Sequence, residues 1–151
     1  MSARLAAVCL GPGGIPKARV DSASVHELGL DGDGHRYVEH GGRDRAVCLL
    51  SRAEVHELEL EGVVHGGPGA FGENLLVEGL DLRACRPGDC FRIGSEVVIE
   101  LSDVRAPCHT LKALDARFPD LMLGRSGYMA RVLRAGTIAP RDTLVPTTRP
   151  D

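Results

Sequence analysis

The segment Arg105-Ala106-Pro107-Cys108-His109-Thr110-Leu111 sets one cysteine where an extended run gives way to a predicted helix. Ahead of it, Glu96-Val97-Val98-Ile99-Glu100-Leu101 is β-branched and apolar, a strand pattern. Behind it, Leu111, Leu114 and Phe118 fall at helical spacing, and Pro119 ends the pattern. Pro107 suits the first helical position, where its missing N–H would have had no partner. Cys108 would then sit at the positive end of a helix and close to Arg105. Both favour the thiolate, which is the nucleophilic form of cysteine. The competing reading is an unreactive cysteine half-buried in a loop, and these residues leave both open.

Three further loops hold polar residues that need a role. Gly29-Leu30-Asp31-Gly32-Asp33, with His35, carries two carboxylates without the longer ligand series of a calcium loop. The simpler expectation is that each aspartate bonds to its own turn. Gly41-Gly42-Arg43-Asp44-Arg45 combines glycines that bring backbone donors close to an anion with guanidinium groups that grip phosphate or carboxylate. A solvated turn with an internal ion pair fits the same residues. Phe71-Gly72-Glu73-Asn74-Leu75 places a Glu-Asn pair at a loop-to-strand junction, where it either fixes a ligand or, the simpler expectation, caps the loop. His109 follows Cys108 directly, so adjacency alone does not make the two a nucleophile–base pair. His35 and His40 are the other imidazoles that the fold could bring to Cys108. The six histidines lack zinc spacing, so no metal ligands are assigned. No nucleophile elbow, P-loop or dinucleotide fingerprint is present.

The elements that must position these groups are short. Leu5 to Leu10 reads as a strand, Arg19 to Val25 as a looser second one, and Ala46 to Leu50 as a third. Ser51-Arg52-Ala53-Glu54 has capping-box spacing and opens a helix through about Leu60. Leu75 to Val77 is a strand. Cys90 to Ile93 and Glu96 to Leu101 form a hairpin over Gly94-Ser95. Tyr128 to Ile138 is ambiguous, with strand expected from Arg131, and Thr143 to Val145 closes the chain. The tail Pro146 to Asp151 is expected to fray.

One domain is expected over residues 1–151, with its core at about 5–145. Nineteen glycines and nine prolines in 151 residues favour many short elements over a helical bundle. The prediction is a mainly β domain of barrel type with a few short peripheral helices. A net charge of −3 and 3% aromatic content exclude a nucleic-acid footprint. No run is long enough for a transmembrane helix. The apolar N-terminal run is cut off by Gly11-Pro12-Gly13-Gly14, too early for a signal peptide, so the expectation is a cytoplasmic protein without membrane partners. The five cysteines are odd in number and lack C-x-x-C pairs, so reduced thiols are expected, with Cys9 and Cys48 in the core.

Taken in order, Lys17, Gly29 to Asp33 with His35, Gly41 to Val47, Phe71 to Leu75, Gly88-Asp89, Pro107-Cys108 and Gly127-Tyr128 leading into Arg131-Val132-Leu133 resemble a stand-alone MOSC domain. This is the module named from the C-terminal domain of molybdenum cofactor sulfurases. The resemblance spans roughly Leu5 to Val145. It implies a β-rich barrel, and it matches the family's marked cysteine to Cys108. It further implies sulfur carried on that cysteine, or a binding module for the molybdenum cofactor or a related pterin that serves a reductase. The implied ligand-binding residues are Lys17, Arg43, Asp44, Arg45, Glu73, Asn74 and Arg105. Cys108 is the implied catalytic residue, with His35 and His109 as acid–base candidates for a C–S cleavage variant. One departure is visible: Arg141-Asp142 stands where a second Gly-Asp turn is usual, which suggests a changed turn conformation. Nothing resembles a pyridoxal-phosphate desulfurase domain. No covalently bound cofactor and no pyridoxal phosphate are therefore expected, and sulfur would come from a partner such as a cysteine desulfurase or from a small sulfur-bearing, anionic ligand. A molybdoenzyme is the other implied partner.

Overall fold

The structure is a computed structural model that describes residues 2–34 and 42–150. Eight strands form one mixed sheet in the order β11-β7-β8-β9-β5-β6-β1-β2. They are β1 Arg4–Leu10, β2 Ala18–Val20, β5 Val47–Ser51, β6 Leu75–Glu78, β7 Cys90–Ile93, β8 Val97–Val104, β9 Tyr128–Arg134 and β11 Leu144–Thr147. A smaller sheet joins β3 Ala23–His26, β4 Gly29–Leu30 and β10 Gly136–Ile138 in the order β10-β3-β4.

Period-two alternation accounts for the apolar density of the central strands. On β5, Val47 and Leu49 face one core cluster with Phe91, Ile99 and Leu101, and Leu50 faces a second with Leu58, Phe71 and Phe118. Both faces are covered, so β5 is apolar from Val47 to Leu50, as expected for a doubly buried strand. It runs parallel to β6 (Leu49 opposite Leu75), and the connection between them contains the single α-helix among the described residues, α1, Arg52–Leu60. The predicted capping box forms: Ser51 Oγ accepts from Glu54 N at 3.1 Å, and Glu54 Oε1 accepts from Ser51 N at 3.3 Å.

The mainly β class and the strands on Leu5, Ala46, Leu75 and Cys90 agree with the sequence, and no closed barrel is traced among the described residues. The large sheet runs open from β11 to β2, and Arg4 meets Thr143 through one isolated bridge. Four other expectations change. The second strand is two, β2 and β3, parted at Asp21-Ser22 and serving different sheets. Strand β9 begins at Tyr128, since Tyr128 to Ala130 pair with β5 while the strand also borders β8. The tail is not frayed at Pro146-Thr147: Pro146 pairs with Phe91 and Thr147 with Cys90, and beyond them Arg149 Nη1 lies 3.1 Å from Glu100 Oε1. Arg141 adopts φ +79°, the left-handed region glycine favours, so the turn keeps a glycine-type backbone with an arginine in it.

The predicted helix after Cys108 is replaced by two short 3-10 turns, His109–Ala113 and Asp120–Met122. Asp115 Oδ1 accepts from its neighbour Arg117 N at 3.0 Å, a local bond that competes with a helical ladder. Pro119 then restricts Phe118. Leu111, Phe118 and Met122 still enter one core cluster, so the apolar spacing was real although the helix was not. No helix is long and apolar enough to cross a membrane among the described residues.

Candidate functional site

Asn74 stands just ahead of β6, between the ends of β1 and β5. Its backbone already spans the gap, donating to Cys48 O at 2.9 Å and accepting from Cys9 N at 2.7 Å. Its side chain does the same: Oδ1 accepts from Cys48 N at 3.0 Å, and Nδ2 donates to Cys9 O at 3.2 Å and to Asp33 Oδ2 at 2.9 Å. Both amide hydrogens are thus used inside the protein, and Asn74 is 1% exposed. Asp33 completes the knot. Its Oδ1 accepts from Gly11 N at 3.0 Å and from Lys17 Nζ at 2.7 Å, with both side chains buried. The expectation that Asp33 serves its own turn is therefore wrong. It ties three distant segments together, and sequence reasoning missed it because only its contacts across the fold give it that role. Its place in the ordered motif set was the available signal. Asp31 pairs instead with exposed His26 at 2.9 Å.

The loop before Asn74 is shaped by Glu73, whose Oε2 accepts from Gly69 N at 2.9 Å and Oε1 from Phe71 N at 3.2 Å. This is the capping role the sequence suggested. Gly69 holds φ +89°, and a Cβ there would lie 2.1 Å from Lys17 O, so only glycine lets the loop approach Lys17. Burial raises the Glu73 carboxyl above the ordinary range, opposed by those backbone N–H groups and by the charge of Arg105. A carboxyl raised in the folded state binds more protons folded than unfolded, so stability falls as pH rises from the unfolded pKa to the folded one. Wild-type stability relative to Glu73→Gln is therefore expected to be greatest at acid pH and to decline through and above the ordinary carboxylate range. Urea unfolding across that range measures it, and a flat difference would contradict the assignment.

Arg105 follows β8. Its backbone N donates to Gly127 O at 2.9 Å, and its carbonyl accepts from Ser126 Oγ. Gly127 sits at φ +86° with room for no side chain, since a Cβ would fall 1.9 Å from Leu49 O. Arg105 as a whole is nine-tenths buried. Nη2 donates to Phe71 O at 2.5 Å, while Nη1 has no hydrogen-bond partner among the described residues. Three residues on, Cys108 is half-buried, with Sγ 3.0 Å from Thr110 Oγ1. It caps only a five-residue 3-10 turn, and Pro107 lies outside that turn. So few aligned peptides make a weak dipole, and the helix-end argument for this cysteine lapses. His109 is exposed, and His35 lies outside the described residues.

The Arg43–Arg45 triplet forms a 3-10 turn with divided roles. Arg43 is exposed and pairs with Glu27. Asp44 Oδ1 accepts from Arg131 Nε at 2.9 Å. Arg45 Nε is buried without a partner among the described residues. Cys48, on the adjoining strand, shows how these charges converge. Burial raises its thiol, and Arg105, Lys17 and Arg45 all pull it down, against Glu73. Lys17 and Arg105, both buried, and the half-buried Arg45 thus gather around one strand end, two of the three with an unused N–H among the described residues, and Cys108, three residues beyond Arg105, is a half-buried thiol. Such a site can hold an anionic group. All five cysteines are free thiols.

A small β domain with a cationic recess and a half-buried cysteine three residues past its buried arginine is the class this geometry defines. Residues 36–145 match the MOSC domain, and the chain belongs to that family. Among curated proteins it is 39% identical to Protein YiiM of Escherichia coli (strain K12) over 66% of this chain and 46% of that protein. It is 36% identical to YflK of Bacillus subtilis (strain 168) over 84% and 60%. A protein called "Reductase" from Gibberella moniliformis is 31% identical over 81% of this chain and 23% of its own length. The chain thus spans between 23% and 60% of the length of these relatives. The crystal structure of YiiM from Geobacillus stearothermophilus superposes with a TM-score of 0.80 at 26% identity, covering 97% of this chain and 76% of that one.

Proposed function

We propose that the protein handles sulfur through Cys108, accepting it as a persulfide or attacking a sulfur-bearing substrate. The observation that carries this reading is the buried Nη1 of Arg105, without a hydrogen-bond partner among the described residues, in the segment that leads directly to the half-buried Cys108. A buried guanidinium N–H without an acceptor is costly, and an anionic ligand would satisfy it. Arg45 Nε offers a second such donor. Arg43, which the family resemblance would also put on the ligand, is engaged with Glu27 in an exposed pair that is weak enough to exchange. Lys17, Asp33, Glu73 and Asn74 act by fixing the loops rather than by touching substrate.

In the transfer step, Cys108 as thiolate attacks the terminal sulfur of a donor persulfide. The new S–S bond forms as the donor's S–S bond breaks, and the donor thiolate leaves and takes up a proton. The donor would be a partner desulfurase or a small persulfide. In the C–S cleavage variant a proton must reach the leaving group, and His109 and His35 are the candidates.

A second reading, binding of the molybdenum cofactor or a related pterin for delivery to a reductase, draws on the same two orphan donors. They suit an anionic group, and the Cys108 thiol suits a metal. Arg105, Arg45 and Cys108 would hold the cofactor, which when bound supplies redox chemistry at its metal.

The experiment is mass spectrometry of the purified protein after incubation with a cysteine desulfurase and cysteine. One added sulfur atom on the Cys108 peptide is expected. An unmodified Cys108, with molybdenum and pterin present in stoichiometric amounts in protein from cofactor-competent cells, would overturn this reading in favour of the second.

A further inference from the structure

A separate cavity of about 490 Å³ lies between α1 and the Gly67–Glu73 loop. Arg52, Val55 and Glu59 line it from one face of α1, and His65, Phe71 and Glu73 from the loop. Phe71 divides this space from the cationic recess. Its carbonyl is taken by Arg105, while its ring lines the cavity. Val55 and Phe71, 7% and 1% exposed, supply apolar walls.

The polar groups select the charge of an occupant. Glu73, 1% exposed, accepts one neutral backbone N–H on each oxygen, which leaves lone pairs unspent. Arg105 feels that carboxyl only at longer range, since its Nη2 is given to the Phe71 carbonyl. His65 Nδ1 accepts from Gly67 N at 3.0 Å, so the ring proton is on Nε2, which faces Glu59 Oε2 at 2.9 Å. Neither nitrogen then has a free lone pair for a metal, and no group of three metal-ligating side chains occurs among the described residues. Glu59 is held ionised by its bond from His65, and an ammonium set against Glu73 would favour the ionised carboxyl that burial disfavours; with Arg52 as the one permanent cation in the lining, a positively charged guest is favoured, and the Phe71 ring adds cation–π attraction.

We propose that this cavity binds a small organic cation, an ammonium on an apolar or aromatic body, with the ammonium directed at Glu73. The proposal is independent of the role of Cys108.

The test uses the whole chain and phenethylamine as the probe, with phenethyl alcohol and hydrocinnamate as its neutral and anionic counterparts. Amide resonances of Gly67, Gly69 and Phe71 are expected to shift on titration with phenethylamine, with affinity at least about tenfold above that for the alcohol. Hydrocinnamate should bind more weakly still. Glu73→Gln should abolish the preference for the amine. Because that change also touches the loop, Glu59→Gln at the exposed mouth is the second variant, expected to reduce amine affinity about two- to threefold with the fold intact. Unshifted amides, or equal affinity for amine and alcohol in the wild type, would overturn the proposal.

Discussion

Cys108→Ser is expected to lower sulfur loading and sulfur release by about a thousandfold or more while leaving unfolding free energy within about 0.5 kcal/mol of wild type. The two halves of this result have different origins. Serine keeps a hydroxyl that can bond with Thr110 Oγ1, replacing the 3.0 Å contact of the thiol. Position 108 is half-buried and outside every strand, so little packing is lost. What vanishes is a polarizable nucleophile able to form an S–S bond, which a hydroxyl does not do. Persulfide labelling and sulfide release, read beside a urea melt, measure both. Sulfur transfer that survives in the serine variant would remove Cys108 from the chemistry. A variant that unfolds would place this residue among the supports of the fold. Arg105→Met gives the companion test, since loss of loading there with Cys108 intact separates anion binding from nucleophilicity.

The largest stability effect is expected at Lys17. Lys17→Met should cost about 3–5 kcal/mol, because the Asp33 carboxylate would stay buried with only neutral donors left. Lys17 Nζ and Asp33 Oδ1 are 2.7 Å apart with side chains 8% and 3% exposed, so solvent does little to screen the pair. Adding Asp33→Asn removes the stranded charge and should recover part of the loss. A double-mutant cycle in urea tests this, and strictly additive losses would deny the coupling. Surface pairs such as Arg4–Glu78, at 51% and 29% exposure, should contribute far less.

Much of the sheet could be read from the chain because its strands obey simple local rules. Leu5 to Leu10, Ala46 to Leu50 and Leu75 to Val77 are apolar runs bounded by glycine, proline or polar turns, and Ser51 with Glu54 carries its own cap. The parts that could not be read depend on distant partners. The spacing of Leu111, Leu114 and Phe118 reads as a helix, but only Leu111 lies in a 3-10 turn, and the Asp115–Arg117 bond offers the intervening backbone a local alternative to a helical ladder. Pro146 looks like a terminator until β7 is available to pair with it. The thiol at 108 and the arginines at 45 and 105 were apparent from residue type. Which guanidinium nitrogens lack an acceptor was not, because Arg43 and Asp44 are claimed by Glu27 and Arg131, far away in sequence.

The side chain of Asn74 behaves as a counterfeit peptide unit: its oxygen and nitrogen fill an otherwise missing rung between two strand ends and then reach on to Asp33. No other amino acid reproduces that rung. Aspartate has the length but no hydrogens to give, glutamine has the hydrogens but an extra methylene, and histidine has the wrong shape. The position therefore tolerates one residue on architectural grounds alone, and its invariance in any set of related chains would carry no information about what the protein binds.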